Sequence, residues 1–199
     1  MLKEQLEKVR GQMPLIHNIT NYVTVNDCAN ILLACGASPI MADDLEEAEE
    51  ITAVCGGLNI NIGTLNRNTI PSMLAAGKKA NACGHPVLLD PVGAGASRLR
   101  TETARRLLKE VHFTAIRGNI SEIKTLALGM GGARGVDADG MDAVTDANLE
   151  STILFAGRFA EDTGAIVAIT GAIDIVTDGD FACVIRNGHP LMSKVTGTG

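Results

Sequence analysis

Apolar residues follow two different spacings along this chain. Short apolar runs are typical of strands, and they occupy residues 37–41, 58–62, 86–90, 113–117 and 165–170. Segments with apolar residues three and four positions apart are typical of helices, and they occupy residues 25–34, 44–54, 69–82, 97–110, 121–128 and 148–162. Because strands alternate with helices, the pattern predicts βαβ units and a mostly parallel sheet covered by helices on both faces, which is an α/β fold.

Residues that favour helix ends mark several of these boundaries. Three helical segments begin next to residues that commonly cap a helix N-terminus, namely Asn68, Ser97 and Asn119. Three glycines stand where helices are expected to end, namely Gly36, Gly84 and Gly164. The sequence therefore predicts the ends of these helices in addition to their approximate positions.

The last third of the chain departs from the alternation. Residues 173–176 and 181–186 are strand-like and flank the turn sequence Thr177-Asp178-Gly179-Asp180, which predicts a β-hairpin. The glycine-rich stretch 129–140 predicts a loop between two helices. Because no long linker or repeat interrupts the chain, we predict a single domain over residues 1–199.

Composition narrows the class of protein. The 199 residues are 46% hydrophobic and 20% charged, with a net charge of −6, which favours a folded domain over a disordered chain. The absence of a basic stripe argues against nucleic-acid binding, and no apolar run reaches the roughly 18 residues of a membrane helix. The five cysteines are scattered and form no CxxC pair, which predicts reduced thiols. The charged N-terminus does not have the pattern of a secretory signal, and together these features predict a cytoplasmic location.

Two carboxylates follow predicted strands, where open α/β sheets bind their ligands. Asp90 ends one strand and precedes a glycine loop, so it is a candidate Mg²⁺ ligand or, alternatively, a turn former or helix cap. Glu122 follows Asn119 by three residues, which is the spacing of a capping box, and it is also a candidate for the same metal. Both interpretations stay open for both residues.

Other polar groups have less specific patterns. Thr170 ends a further strand, and Gly197 lies in a glycine-rich end whose N–H groups are candidates for an anion site or, alternatively, in a frayed terminus. The uncharged polar residues of segment 14–27 suit a small neutral ligand, whereas His17 within it is expected to be structural. Signatures of Walker-type nucleotide sites, Rossmann dinucleotide sites, zinc proteases and serine hydrolases are missing from the sequence.

Five segments together resemble the hydroxyethylthiazole kinase family in order and spacing, and they are residues 15–23, 37–42, 89–94, 117–122 and 195–199. The resemblance implies a ribokinase-like, three-layer α/β/α sandwich that forms a homotrimer with sites between subunits. It also implies transfer of the ATP γ-phosphoryl group, with Mg²⁺, to the primary alcohol of 4-methyl-5-(2-hydroxyethyl)thiazole. That reaction serves thiamine biosynthesis and salvage.

The resemblance also implies roles for individual residues. Met41 corresponds to a substrate-contacting methionine, and Gly197 to a substrate contact within an anion hole formed by residues 197–199, which include Thr198 and Gly199. Arg117 and Thr170 correspond to ATP-phosphate contacts. Asp90 and Glu122 correspond to the carboxylates that organise Mg²⁺.

One family feature lies beyond the printed sequence. In the family a cysteine that assists deprotonation of the alcohol follows the Gly-Thr-Gly motif at once, and this sequence stops at Gly199. We therefore expect a domain incomplete at its C-terminal end, with strongly reduced turnover. A non-catalytic remnant that binds the thiazole or the nucleotide is the alternative. A related kinase for another small alcohol or a hydrated nicotinamide nucleotide is a third reading.

Overall fold

The computed structural model describes residues 2–129 and 143–197 of the chain. Its internal contacts divide the chain into two compact units, Met1–Val87 and Leu88–Gly199. Each unit has its own strands, helices and buried apolar core. No helix among the described residues is long and apolar enough to cross a membrane.

In the first unit, helices and parallel strands alternate. Its elements are α1 Leu2–Gln12, β1 Leu15–Ile19, α2 Val25–Cys35, β2 Ser38–Met41, α3 Ala48–Val54, β3 Gly57–Asn61 and α4 Thr69–Cys83. The strand order is β2-β1-β3, with both pairs parallel. The register aligns Asn18 with Met41 on one side and with Asn59 on the other, so the carboxyl ends of the three strands meet at one edge.

The core of the first unit lies between these strands and their helices. Ile19, Ile60 and Ile62 have almost no exposed surface. α2 packs against β2, α3 against β1 and α4, and α4 against β3. Burial of the apolar side chains determines which face of each helix packs against the sheet. The orientation of the helices in turn determines where the loops at the strand ends lie.

The second unit combines a parallel part with an antiparallel hairpin. Its elements are β4 Val87–Asp90, which begins at the unit boundary, followed by α5 Arg98–Glu110, β5 Ala115–Asn119, α6 Ile120–Gly129, α7 Leu149–Thr163, β6 Ile166–Thr170, β7 Asp174–Thr177, β8 Ala182–Ile185 and a short 3-10 helix Pro190–Lys194. β4, β5 and β6 are parallel neighbours. β6, β7 and β8 are antiparallel neighbours, which confirms the predicted hairpin.

The predicted strands and helices are all present, with shifted ends. The largest strand shift is in β5, which was expected at 113–117 and runs from Ala115 to Asn119. α3 begins at Ala48 rather than at residue 44, because Asp44 forms a turn in which its side chain accepts from the Glu46 N–H at 2.9 Å. Most of the predicted glycine-rich loop, residues 130–140, lies outside the described residues.

Helix capping follows the sequence in part. Ser97 accepts from the Arg100 N–H, and Asn119 accepts from the Glu122 N–H, as predicted. The prediction for Asn68 is wrong, because its side chain makes no capping bond. Asn66 Oδ1 takes that role by accepting from the N–H groups of Asn68 and Thr69, so the capping side chain comes from two residues earlier. The glycines that follow α2, α4 and α7 have the left-handed backbone conformation, as expected, and they are Gly36, Gly84 and Gly164.

Candidate active site

An ion pair joins the carboxyl end of β4 to β5 in the second unit. Arg117 Nη1 lies 3.3 Å from Asp90 Oδ2, and the Asp90 side chain is 14% exposed. The Arg117 side chain is one-third exposed. A planar guanidinium held in this way keeps N–H donors available for a second anion such as a phosphate.

Glu122, in the first turn of α6, uses both of its carboxylate oxygens to hold backbone. Oε1 accepts from the Gly93 N–H at 2.7 Å, and Oε2 accepts from the Asn119 N–H at 2.8 Å. Because Asn119 Oδ1 in turn accepts from the Glu122 N–H at 2.9 Å, the predicted capping box is present. Glu122 therefore ties the loop after β4 to the turn after β5.

Two glycines make room for this arrangement. A Cβ atom on Gly118 would lie 3.1 Å from Glu122 Oε2, so a larger residue would crowd the carboxylate. Gly93 has a φ of 73°, which disfavours L side chains, and a Cβ there would lie 2.1 Å from Arg100 Nη1. The glycine loop expected after Asp90 is thus needed for its backbone shape as well as for close approach.

Thr170 lies at the end of β6 beside the same turn. The register pairs it with Asn119, and its hydroxyl donates to the Gly118 carbonyl oxygen at 3.5 Å. The structure therefore brings Asp90, Arg117, Glu122 and Thr170 to the ends of three neighbouring strands, as open α/β sheets do for their ligands.

The glycine-rich end of the chain is described only as far as Gly197. This residue is exposed and has a φ of 79°, a conformation that leaves its backbone approachable. The two other residues expected in the anion hole, Thr198 and Gly199, lie outside the described residues.

In the first unit, Met41 ends β2 and is 36% exposed. Its register neighbour Asn18 is 2% exposed and accepts at Oδ1 from Asn59 Nδ2 at 3.1 Å. Side chains of residues paired in parallel register point to the same face of a sheet, so Met41 shares a face with the two asparagines. This edge offers a flexible apolar group beside one buried and one half-buried amide, which suits a small ligand of mixed polarity.

His17 is fully buried beside that edge, and both of its ring nitrogens have partners. Nε2 lies 2.7 Å from the Ala42 carbonyl oxygen and Nδ1 lies 2.8 Å from Thr52 Oγ1. Burial lowers the pKa of His17, while the Ala42 carbonyl and the charge of Glu47 raise it by smaller amounts. The expected structural role of His17 agrees with these contacts.

Several polar residues of this unit were not singled out from the sequence. They are the strand residues Asn59 and Asn61, together with Thr52. Asn21 Nδ2 donates to Asn61 Oδ1 at 3.0 Å, so part of the polar character of segment 14–27 is used inside the protein. Two asparagines at alternate positions in an otherwise apolar strand were the available signal, because strand interiors disfavour asparagine.

Comparison with known proteins now decides the family. Residues 6–199 match the hydroxyethylthiazole kinase family. A hydroxyethylthiazole kinase of Clostridium acetobutylicum is 70% identical over 199 residues, which are 100% of this chain and 73% of that protein. The chain belongs to the hydroxyethylthiazole kinase family.

Solved structures agree with this family assignment. A hydroxyethylthiazole kinase protein from Pyrococcus horikoshii superposes with a TM-score of 0.86 at 40% identity, covering 98% of this chain and 70% of that one. Adenosine kinase from Anopheles gambiae superposes with a TM-score of 0.56 at 11% identity, covering 94% of this chain and 65% of that one. The first confirms the predicted ribokinase-like α/β fold of this kinase, and the second shows a shared fold alone.

Proposed function

We propose that this kinase transfers the γ-phosphoryl group of ATP to the primary alcohol of 4-methyl-5-(2-hydroxyethyl)thiazole, in thiamine biosynthesis and salvage. The observation that carries the proposal is the 70% identity, over the whole chain, to a protein named for this activity. The match spans the whole chain and so includes the strand ends of the candidate site, where the reacting groups of an α/β enzyme lie.

Arg117 and Thr170 are proposed to bind the ATP phosphates. The guanidinium supplies a permanent positive charge. Its ion pair with Asp90 already restricts the Arg117 side chain, so less conformational entropy is lost when a phosphate binds. The Thr170 hydroxyl and the neighbouring backbone supply neutral hydrogen bonds. Phosphoryl transfer depends mainly on such positioning and on stabilisation of charge on the phosphate oxygens.

Asp90 and Glu122 are proposed to organise Mg²⁺. Carboxylate oxygens are its usual protein ligands, and one or two of them suffice when phosphates and water supply the rest. Among residues 2–129 and 143–197 no group of three or more His, Cys, Asp or Glu side chains is clustered as a metal cage, which agrees with a site shared with substrate phosphates. When bound, the metal neutralises developing phosphate charge, while Glu122 keeps the Gly93 loop in place.

Met41 is proposed to contact the thiazole, and Gly197 with Thr198 and Gly199 to form the anion hole. A thioether packs well against an aromatic ring, and consecutive N–H groups in a glycine-rich turn can converge on a phosphate. The positive φ of Gly197 suits such a turn.

We further propose a homotrimer and a cytoplasmic location. α2 has an apolar sequence but no buried residue, and Ile31 and Leu33 on it are 61% and 57% exposed. Exposed apolar side chains on one helix are compatible with a subunit contact, and a second copy of the chain is the proposed occupant. The five cysteines are free thiols, as expected for a protein in a reducing compartment.

The phosphate-site assignment is tested by Asp90→Asn, with the exposed hairpin residue Asp180→Asn as the matched control. Turnover is measured for the chain itself and for a chimera that carries the remainder of the C. acetobutylicum protein. We expect Asp90→Asn to need about 10- to 100-fold more Mg²⁺ or to lose as much activity, and the control to be unchanged. Equal behaviour of the two variants would contradict the assignment.

A further inference from the structure

His17 makes two contacts of different kinds, and they lead to different parts of the first unit. Through Nδ1 it reaches the side chain of Thr52 in α3, and through Nε2 it reaches the main chain at Ala42. The ring has no exposed surface, so the loss of either contact leaves a polar nitrogen buried and unsatisfied. The two contacts can be removed one at a time, which makes their roles separable.

The direction of the hydrogen bonds follows from the partners. A carbonyl oxygen only accepts, so His17 Nε2 carries the proton and donates to Ala42. In the neutral ring Nδ1 is then an acceptor, and the Thr52 hydroxyl is its donor. That hydroxyl lies 2.7 Å from the Ala48 carbonyl oxygen as well, so its one proton serves two acceptors and the Nδ1 contact is the weaker anchor.

The Nε2 contact acts at the carboxyl end of β2. Ala42 follows Met41 directly and is 5% exposed, whereas Met41 is 36% exposed. The described register of β1 with β2 ends at the pair Asn18 and Met41, so the ladder no longer holds the chain beyond that point. The His17–Ala42 hydrogen bond therefore continues the attachment of β2 to β1 by one residue, where the exposed methionine needs a fixed backbone.

We infer that His17 is a positioning residue for the alcohol substrate, which it affects by holding the backbone next to Met41 through the Ala42 carbonyl. The inference rests on the proposed contact between Met41 and the thiazole. His17 touches neither substrate in this role. Its expected effect is on the binding of the alcohol and not on the binding of ATP.

A pair of substitutions distinguishes the two contacts. His17→Gln keeps an N–H donor at the distance of Nε2, so it preserves the bond to Ala42 and loses that to Thr52. His17→Asn places its amide at the distance of Nδ1, so it preserves the contact with Thr52 and loses that with Ala42. Both variants remove the ring, and both are expected to lower the thermal stability by similar amounts. Thr52→Val removes the Nδ1 partner without changing the histidine.

Steady-state kinetics of the chain and of the chimera supply the readout. We expect His17→Asn to raise the KM for the thiazole alcohol about five- to tenfold, which corresponds to one lost hydrogen bond, with the KM for ATP unchanged. His17→Gln and Thr52→Val are expected to keep the thiazole KM close to that of the parent. A thiazole KM that rises equally in all three variants, or together with the ATP KM, would show a merely structural role.

The parent protein separates the two possible failures. If the parent phosphorylates the thiazole alcohol and His17→Asn behaves like His17→Gln, the positioning role of His17 is wrong and the proposed function stands. If neither the parent chain nor its chimera phosphorylates that alcohol, the proposed function fails and this inference fails with it.

Discussion

Glu122 shows how one side chain can determine local geometry at the residue scale. Its two oxygens hold the N–H groups of Gly93 and Asn119, which belong to loops that follow different strands. A carboxylate that accepts two backbone hydrogen bonds is fixed in orientation before any metal or nucleotide binds. The proposed metal site would thus be preorganised by the protein, which lowers the cost of binding.

Gly118→Ala tests this preorganisation without changing any charge. The added methyl group would lie 3.1 Å from Glu122 Oε2, so we expect the carboxylate to shift, the free energy of unfolding to fall by about 1–3 kcal/mol, and Mg²⁺-dependent activity to decrease. Gly157→Ala in α7 is the control, because its nearest contact is an ordinary 3.7 Å. Urea denaturation and turnover of both variants provide the measurement. A Gly118→Ala protein as stable and active as the control would contradict the account.

The buried histidine predicts a pH dependence of stability. The pKa of His17 is lowered by burial from 6.5, so the unfolded chain binds a proton at higher pH than the folded one. The contribution of His17 to the free energy of unfolding is therefore fully present above about pH 6.5. It falls as the pH drops below that value, by up to about 1.4 kcal/mol per pH unit. His17→Gln has no titrating ring, so its stability should fall less between pH 7 and pH 5. The free energy of unfolding of both proteins is measured with urea at each pH. If it falls equally in both between pH 7 and pH 5, His17 is not the cause of the pH dependence.

The sequence identified some site residues and not others, for physical reasons. Asp90 and Glu122 were identified because they follow predicted strands, although turn and capping roles were open for them as well. Thr52 and Asn59 were not, because their roles depend on which strands become neighbours, and the sequence alone does not give the strand order. The contact of His17 with Ala42 is likewise a product of the pairing of β1 with β2.

At the scale of elements, local chemistry explains which boundaries were predictable. β2, β3, β4 and β6 were found close to their observed positions because each contains a short apolar run, although two asparagines interrupt that of β3. β1 was not identified as a strand, since its polar residues His17 and Asn18 interrupt the apolar pattern. β5 extends through Gly118 and Asn119, two residues that disfavour strands when considered locally.

Helix capping gives a prediction at the same scale. Ser97 accepts from the Arg100 N–H at the start of α5, whereas Asn68 makes no capping bond at the start of α4. We expect Ser97→Ala to lower the free energy of unfolding by about 1 kcal/mol, and Asn68→Ala by a few tenths at most. Chemical denaturation of the two variants side by side is sufficient. A larger loss for Asn68→Ala would contradict the capping assignment.

At the scale of the whole molecule, α2 exposes the apolar side chains of Ile31 and Leu33, and this helix is the proposed contact of the trimer. Ile31→Lys is expected to weaken the proposed trimer, because a charge would be desolvated at a subunit contact. Leu154→Lys on α7 is a control of similar exposure, 65% against 61% for Ile31. Light scattering of the purified proteins gives the masses. A parent that is monomeric, or a trimer indifferent to Ile31→Lys, would contradict the proposed contact.

The alcohol that this kinase phosphorylates can be identified directly in solution. The most direct test incubates the chain, and the chimera with the remainder of the C. acetobutylicum protein, with Mg-ATP and 4-methyl-5-(2-hydroxyethyl)thiazole, and follows ³¹P NMR for a phosphate ester. The account predicts that the thiazole phosphate and ADP appear in equal amounts. The account is contradicted if a phosphate ester forms only with a different small alcohol. It is also contradicted if neither protein forms a phosphate ester with any alcohol.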